Sequence, residues 1–96
     1  MSLYNEEIRD AIVTYLKSEF PTFNAQEQQE EDSYCFRLTN ASTDSYFLRV
    51  MFSVTEGINE EQMNTLLEQY AVAATMRSLG DFPVVVTEQG CMFGSP

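Results

Sequence analysis

The side chains that could do chemistry in this chain are carboxylates, arginines and two thiols; histidine is absent. Its absence removes the commonest general base and the commonest metal ligand. A serine or cysteine nucleophile therefore has no imidazole to activate it. The carboxylates come in runs, Glu6-Glu7, Glu30-Glu31-Asp32 and Glu60-Glu61. Such runs could perform acid–base work or hold a hard cation. The first and last fall where helices are expected to begin, a place acids occupy for dipole reasons alone. No pair is singled out, so the chain is expected to be no enzyme, with no catalytic residue, cofactor or metal. Asn40-x-Ser42-x-Asp44 has the start of a calcium loop, but no glycine stands at its sixth position and Met51 falls where the bidentate glutamate belongs. Asn40-Ala41-Ser42 fits the glycosylation acceptor pattern with no secretion signal to support it. Gly57, Gly80, Gly90 and Gly94 form neither a P-loop nor a dinucleotide fingerprint.

The thiols Cys35 and Cys91 are too few for a disulfide framework and match no zinc spacing. They are expected as buried or half-buried free thiols; the alternatives are a bridge, which would require their Cα atoms within about 7 Å, or a redox-sensing thiol. The arginines are more informative. In either register open to a hairpin joining their segments, Arg37 and Arg49 share a face, directly opposite or diagonal. Phe47, Met51 and Cys35 surround them. The candidate partner-binding set is therefore Arg37, Arg49, Phe47, Met51 and Cys35, an apolar patch with a cationic centre.

Those residues need a frame. Ile8, Ile12, Tyr15, Leu16 and Phe20 recur at helical spacing, which predicts a helix from about Leu3 to Glu19, capped by Ser2 or Asn5 and ended by Pro21. From Thr22 to Asp32 the pattern is polar and fits either a short edge strand or a solvated loop. Ser33–Thr39 and Ser45–Val54 read as a hairpin across the turn-rich Asn40–Asp44. Tyr34, Phe36 and Leu38, with Tyr46, Leu48, Val50, Phe52 and Val54, are its core side; Cys35, Arg37 and Thr39, with Phe47, Arg49, Met51 and Ser53, take the other.

Past Gly57, Asn59 is the N-cap of a second helix, Gln62 completes a capping box, and Ile58 can staple to Met63. This helix is expected to run unbroken to Leu79, with Gly80 closing it in a left-handed conformation. Met63, Leu66, Leu67, Tyr70, Ala73 and Ala74 form its buried stripe. Ala71, Val72 and Met76 make its last turns apolar nearly all round, so it needs cover on more than one side. Phe82–Thr87 is a third strand, and Val84-Val85-Val86 mark it as interior to a sheet. Gly90–Pro96 is either a fourth short strand or a segment packed on a neighbouring chain.

The expectation is a single α+β domain over residues 1–96, ordered α-β-β-α-β with a possible extra edge strand. It has a small mixed, mainly antiparallel sheet with two helices packed on one face. A right-handed crossover is expected to bring the third strand beside the first strand of the hairpin. Nothing in the chain is left to cover the other sheet face. A chain of this length buries roughly 60 to 70% of the surface its unfolded form exposes, enough for one core.

A formal charge of −10 gives no basic footprint for phosphate, so direct nucleic-acid binding is not expected. The best apolar stretch, Tyr70–Met76, is far short of the ~20 residues of a membrane span. The N-terminus is acidic and lacks the apolar segment of a signal peptide, which points to the cytoplasm. The expected function is a non-enzymatic small acidic binding or adaptor domain, acting through protein–protein contacts on its open sheet face. Its partner is a second copy, in a homodimer, or another protein or peptide. The alternative is an acidic inhibitor or decoy that mimics nucleic acid.

The leading helix, the hairpin Tyr34–Val54 and the capped helix Asn59–Leu79 give an element order α-β-β-β-α-β that resembles the first part of the type III secretion chaperones. The resemblance implies a homodimer that holds a segment of its partner in extended form. The family's final helix has no counterpart in these residues, and the likeness carries over no site residue.

Overall fold

In the computed structural model, which describes residues 4–41, 45–80 and 83–93, Asn5 opens the first helix, α1 (Glu6–Glu19). Its Oδ1 accepts hydrogen bonds from the N–H groups of Glu7 at 2.8 Å and Ile8 at 3.4 Å. These are two of the donors that a helix start leaves unpaired. Extended backbone at Asn5 starts the helix at Glu6, later than Leu3. The other cap candidate, Ser2, lies outside the described residues. Glu6 and Glu7 fill the first turn and Lys17 the last, as the helix dipole favours.

The polar segment after Pro21 is a strand, β1 (Asn24–Gln29), followed by β2 (Ser33–Thr39) and β3 (Ser45–Met51). The sheet is completed by β4 (Val84–Thr87) and β5 (Gly90–Phe93), in the spatial order β1-β2-β3-β4-β5. Neighbours are antiparallel except β3 and β4, which are parallel. The crossover strand thus lies beside the second strand of the hairpin, not the first. The cause is β1, which occupies the far edge of β2 and leaves β3 as the open neighbour. Phe82 and residues 94–96 lie outside the described residues.

The strand expected to reach Val54 stops at Met51. The Phe52 N–H still donates to the Asp32 carbonyl at 2.9 Å, extending the β2–β3 ladder by one bond. The chain then coils into a single helical turn, α2 (Phe52–Thr55). This turn keeps Phe52 in the core, against Tyr34 with ring centroids 4.8 Å apart.

The second large helix is two helices, α3 (Glu60–Gln69) and α4 (Val72–Leu79). The capping box at Asn59 and Gln62 is present with both reciprocal bonds, 2.8 and 2.9 Å. The break falls at Ala71, whose φ of 51° and ψ of 48° are left-handed, a conformation that costs an L-residue roughly 1 kcal/mol. It answers the apolar run that one straight helix could not cover. Val72, Ala73 and Met76 all become buried, while Ala71 and Ala74 turn to solvent. The new helix start has no side-chain cap of its own. Tyr15 supplies one from α1: its hydroxyl accepts the Ala73 N–H at 3.1 Å. Gly80, with φ 61°, closes α4.

α1, α3 and α4 cover one side of the sheet. Ile8, Ile12 and Leu16 from α1, and Met63, Leu67, Val72 and Met76 from α3 and α4, meet the inner row Tyr34, Phe36, Leu38, Leu48, Val50, Val84 and Val86 in a single core. Leu66 and Tyr70 of the expected stripe are half-buried. The architecture is α+β with a mixed, open five-stranded sheet.

Candidate functional site

The outer side of the sheet is built from the residues between those of the core. Across the strands its rows read Gln26–Arg37–Phe47, then Gln28–Cys35–Arg49–Val85, then Ser33–Met51. Arg37 and Arg49 are therefore diagonal neighbours: Arg37 faces Phe47, and Arg49 faces Cys35. Arg37 is exposed, and Phe47, Arg49, Met51 and Val85 are half-buried. Four of the five candidate contact residues thus reach the surface of one face.

Cys35 does not, although it belongs to that face. It is 0% exposed and Ser33 beside it 1%. Arg49 is its partner across the strands, with Nη1 3.8 Å from Oδ1 of Asp32, just before the start of β2. Ser33 Oγ donates to Asp32 at 3.1 Å and lies 3.3 Å from the Cys35 sulfur. Burial raises the Cys35 pKa, with the Ser33 hydrogen bond and the Arg49 charge opposing it. The thiol is inert packing beneath the patch rather than part of its surface.

A bridge to Cys91 is excluded by topology. Both cysteines are free. They lie on strands three places apart in the sheet, about 14 Å at ordinary strand spacing, and on opposite faces. Cys91 pairs with Val86 on the inner side, where burial raises its pKa and a hydrogen bond from Thr75 opposes the rise.

The arginines divide by what holds them. Arg49 takes Asp32, a partly exposed and hence weak pair. Arg77 donates to the Glu19 carbonyl at 2.6 Å and lies over the Phe20 ring, 4.7 Å from its centroid. Arg9 has its Nε 2.8 Å from Asp10 Oδ1, in an alignment that makes no hydrogen bond, and its Nη1 3.7 Å from Glu27. Among the described residues, neither Arg37 nor Arg77 has an ion pair, and of the two it is Arg37 that lies on this face.

Beside Arg49 the face drops into an open hollow of about 680 Å³ lined by Glu30, Glu31, Asp32 and Arg49. The acid runs Glu6-Glu7 and Glu60-Glu61 sit in the first turns of α1 and α3. Among the described residues no group of histidine, cysteine, aspartate or glutamate could hold a metal ion. Likewise, no helix there is long and apolar enough to cross a membrane. Asn40 is half-buried, and Ser42 and Asp44, named with it in the acceptor and calcium-loop patterns, lie outside the described residues.

One polar cluster had no sequence signal except parity. Glu27 points inward from β1, where it accepts the Tyr4 hydroxyl at 2.7 Å and faces Arg9. Burial first, and then this hydrogen bond, push the Tyr4 pKa up to about 12. Its place beside Tyr34 and Phe52 makes it a seal on the core edge.

No protein-family model, curated protein or solved structure matches the chain.

Proposed function

We propose that this chain is a non-enzymatic binding or adaptor domain, chaperone-like in kind, that works through protein–protein contacts on the outer face of its sheet. One observation carries this reading: the inner face is closed by α1, α3 and α4, whereas Phe47, Met51 and Val85 stay half-exposed around Arg37 and Arg49 with no helix of the described residues over them. A surface that needs no apolar residue for folding yet keeps several beside a cation has the composition of a contact patch. The partner is a protein, in the first instance a second copy, and not a nucleic acid or a membrane. The free thiols of Cys35 and Cys91 accord with a reducing compartment, the cytoplasm.

The test is affinity capture from the native cell with wild type and with a variant carrying Phe47→Ser and Arg49→Glu. Proteins retained by wild type and lost by the folded variant support the reading. Capture that is unchanged by the variant, from a chain that is monomeric in both forms, overturns it.

A second reading, an acidic inhibitor that mimics nucleic acid, rests on Asp10, Glu60 and Glu61, which line one hollow between α1 and α3. Salt-sensitive recovery of nucleic-acid-binding proteins in the same capture, lost on Glu60→Lys with Glu61→Lys, would favour it over the sheet face.

A further inference from the structure

We propose that the occupant of the outer face is a second copy of this chain, stacked face to face with strands antiparallel, so that each copy's Arg37 enters the other's Glu30-Glu31-Asp32 hollow. This rests on the outer face being the contact surface, and it names the partner.

The face carries both halves of the contact. Arg37 is an exposed guanidinium with no ion pair among the described residues. The hollow holds three carboxylates against the single guanidinium of Arg49, and so retains a negative excess. Knob and hollow lie on one line, because Glu31 and Asp32 lead directly into β2 and Arg37 is on β2. A two-fold axis lying between the sheets, perpendicular to the strands and passing near Cys35, exchanges the two ends of that line. Each Arg37 then meets the other copy's hollow, and the contact is made twice, as an isologous interface requires.

The same operation fits the apolar residues. On β3, Phe47 and Met51 stand one step either side of Arg49, and the axis sets Phe47 of each copy over Met51 of the other. A ring against a thioether is a favourable contact. Aligned stacking of two sheets at about 10 Å gives both pairs the depth of an ordinary sandwich core. Arg49 recurs near the axis in both copies, and its tie to Asp32 draws it toward the hollow rather than toward its twin. Two chains of −10 repel at distance, but that field is screened beyond about 8 Å at physiological salt, and Glu6, Glu7, Glu60 and Glu61 lie on the helical side. An unrelated acidic peptide could meet Arg37, but it would leave the hollow unfilled.

The experiment is light scattering and sedimentation of the full chain in four forms: wild type, Arg37→Glu, Glu30→Arg with Glu31→Arg, and all three substitutions together. The altered residues are exposed, and thermal melts confirm that each variant folds. The wild type is expected at twice the 11.0 kDa chain mass. Either reversal alone should weaken association by at least ~10-fold, as close charge pairs do, and the combined form should recover most of it. A wild type that stays monomeric at ~1 mM, or a dimer that ignores both reversals, overturns the proposal. So does a combined form no better than the single reversals. If the wild type is monomeric but the Phe47→Ser, Arg49→Glu variant still loses a captured protein, the contact face stands and the second copy falls.

Discussion

The two faces of one sheet are made from the same three central strands and could hardly differ more. On the inner side none of Tyr34, Phe36, Leu38, Leu48, Val50, Val84 and Val86 is more than 1% exposed. One residue along each strand, the outer side passes from exposed Arg37 through half-buried Phe47, Met51 and Val85 to buried Cys35. The inner face is consumed by folding. The outer face is not, so its apolar residues call for a reason outside the fold, and a partner is the reason proposed.

The comparison breaks most readily under paired truncation. Phe36→Ala opens a cavity among fully buried neighbours and should cost about 3–5 kcal/mol, whereas Phe47→Ala should cost less than about 1 kcal/mol. Urea denaturation of the two variants measures the difference, and similar losses would mean that the outer face is also part of the core. A smaller effect is expected at the joint that closes the inner face. Tyr15→Phe leaves the buried Ala73 N–H without its acceptor and should cost about 1–3 kcal/mol, read as a lowered urea midpoint with an unchanged slope.

Alkali should loosen the inner side gradually. Tyr4 titrates at about 12 in the folded chain against 10.0 ordinarily, and the Tyr15 pKa is raised as well. A group with a raised pKa holds more protons folded than unfolded, so stability falls as pH rises. Tyr4's share is fully present below pH 10 and gone above about 12. Thermal melts from pH 9 upward should show the decline, and Tyr4→Phe should flatten it. The smallest effect is a gain. Ala71→Gly relieves a left-handed alanine on the surface and should stabilise by about 0.5–1 kcal/mol, visible as a raised melting temperature. No gain there would mean that the bend between α3 and α4 carries no strain.

Much of this was legible along the chain. The period of two in Ser33–Thr39 and Ser45–Met51 separated inner from outer residues, and Asn59 with Gln62 announced the start of α3. What escaped was decided by partners distant in sequence. The break at Ala71 sits in a run with no glycine or proline, because its driving force is burial of Val72, Ala73 and Met76 and its N-cap comes from Tyr15 on another helix. The place of β4 depended on a polar strand, Asn24–Gln29, whose residues carry almost no strand signal yet fill the far edge of β2. Of the candidate contact residues, the outer face holds Arg37, Phe47, Arg49 and Met51 at its surface. Cys35 is buried although it belongs to that face, which alternation along a strand cannot foretell.

The strand order also dictates a sequence of events in time. β1, β2 and β3 follow one another at short sequence separation and can zip from local contacts, whereas β4 reaches β3 only after residues 52–83 have closed as one loop. Contacts that span such a loop form late, because its closure entropy is spent before they return anything. The antiparallel trio therefore serves as the nucleus, and the single parallel joint as the last seam to close and the first to part. In refolding and unfolding kinetics, Phe36→Ala should slow folding, while Val86→Ala should chiefly hasten unfolding; the reverse pattern would place the nucleus at the crossover.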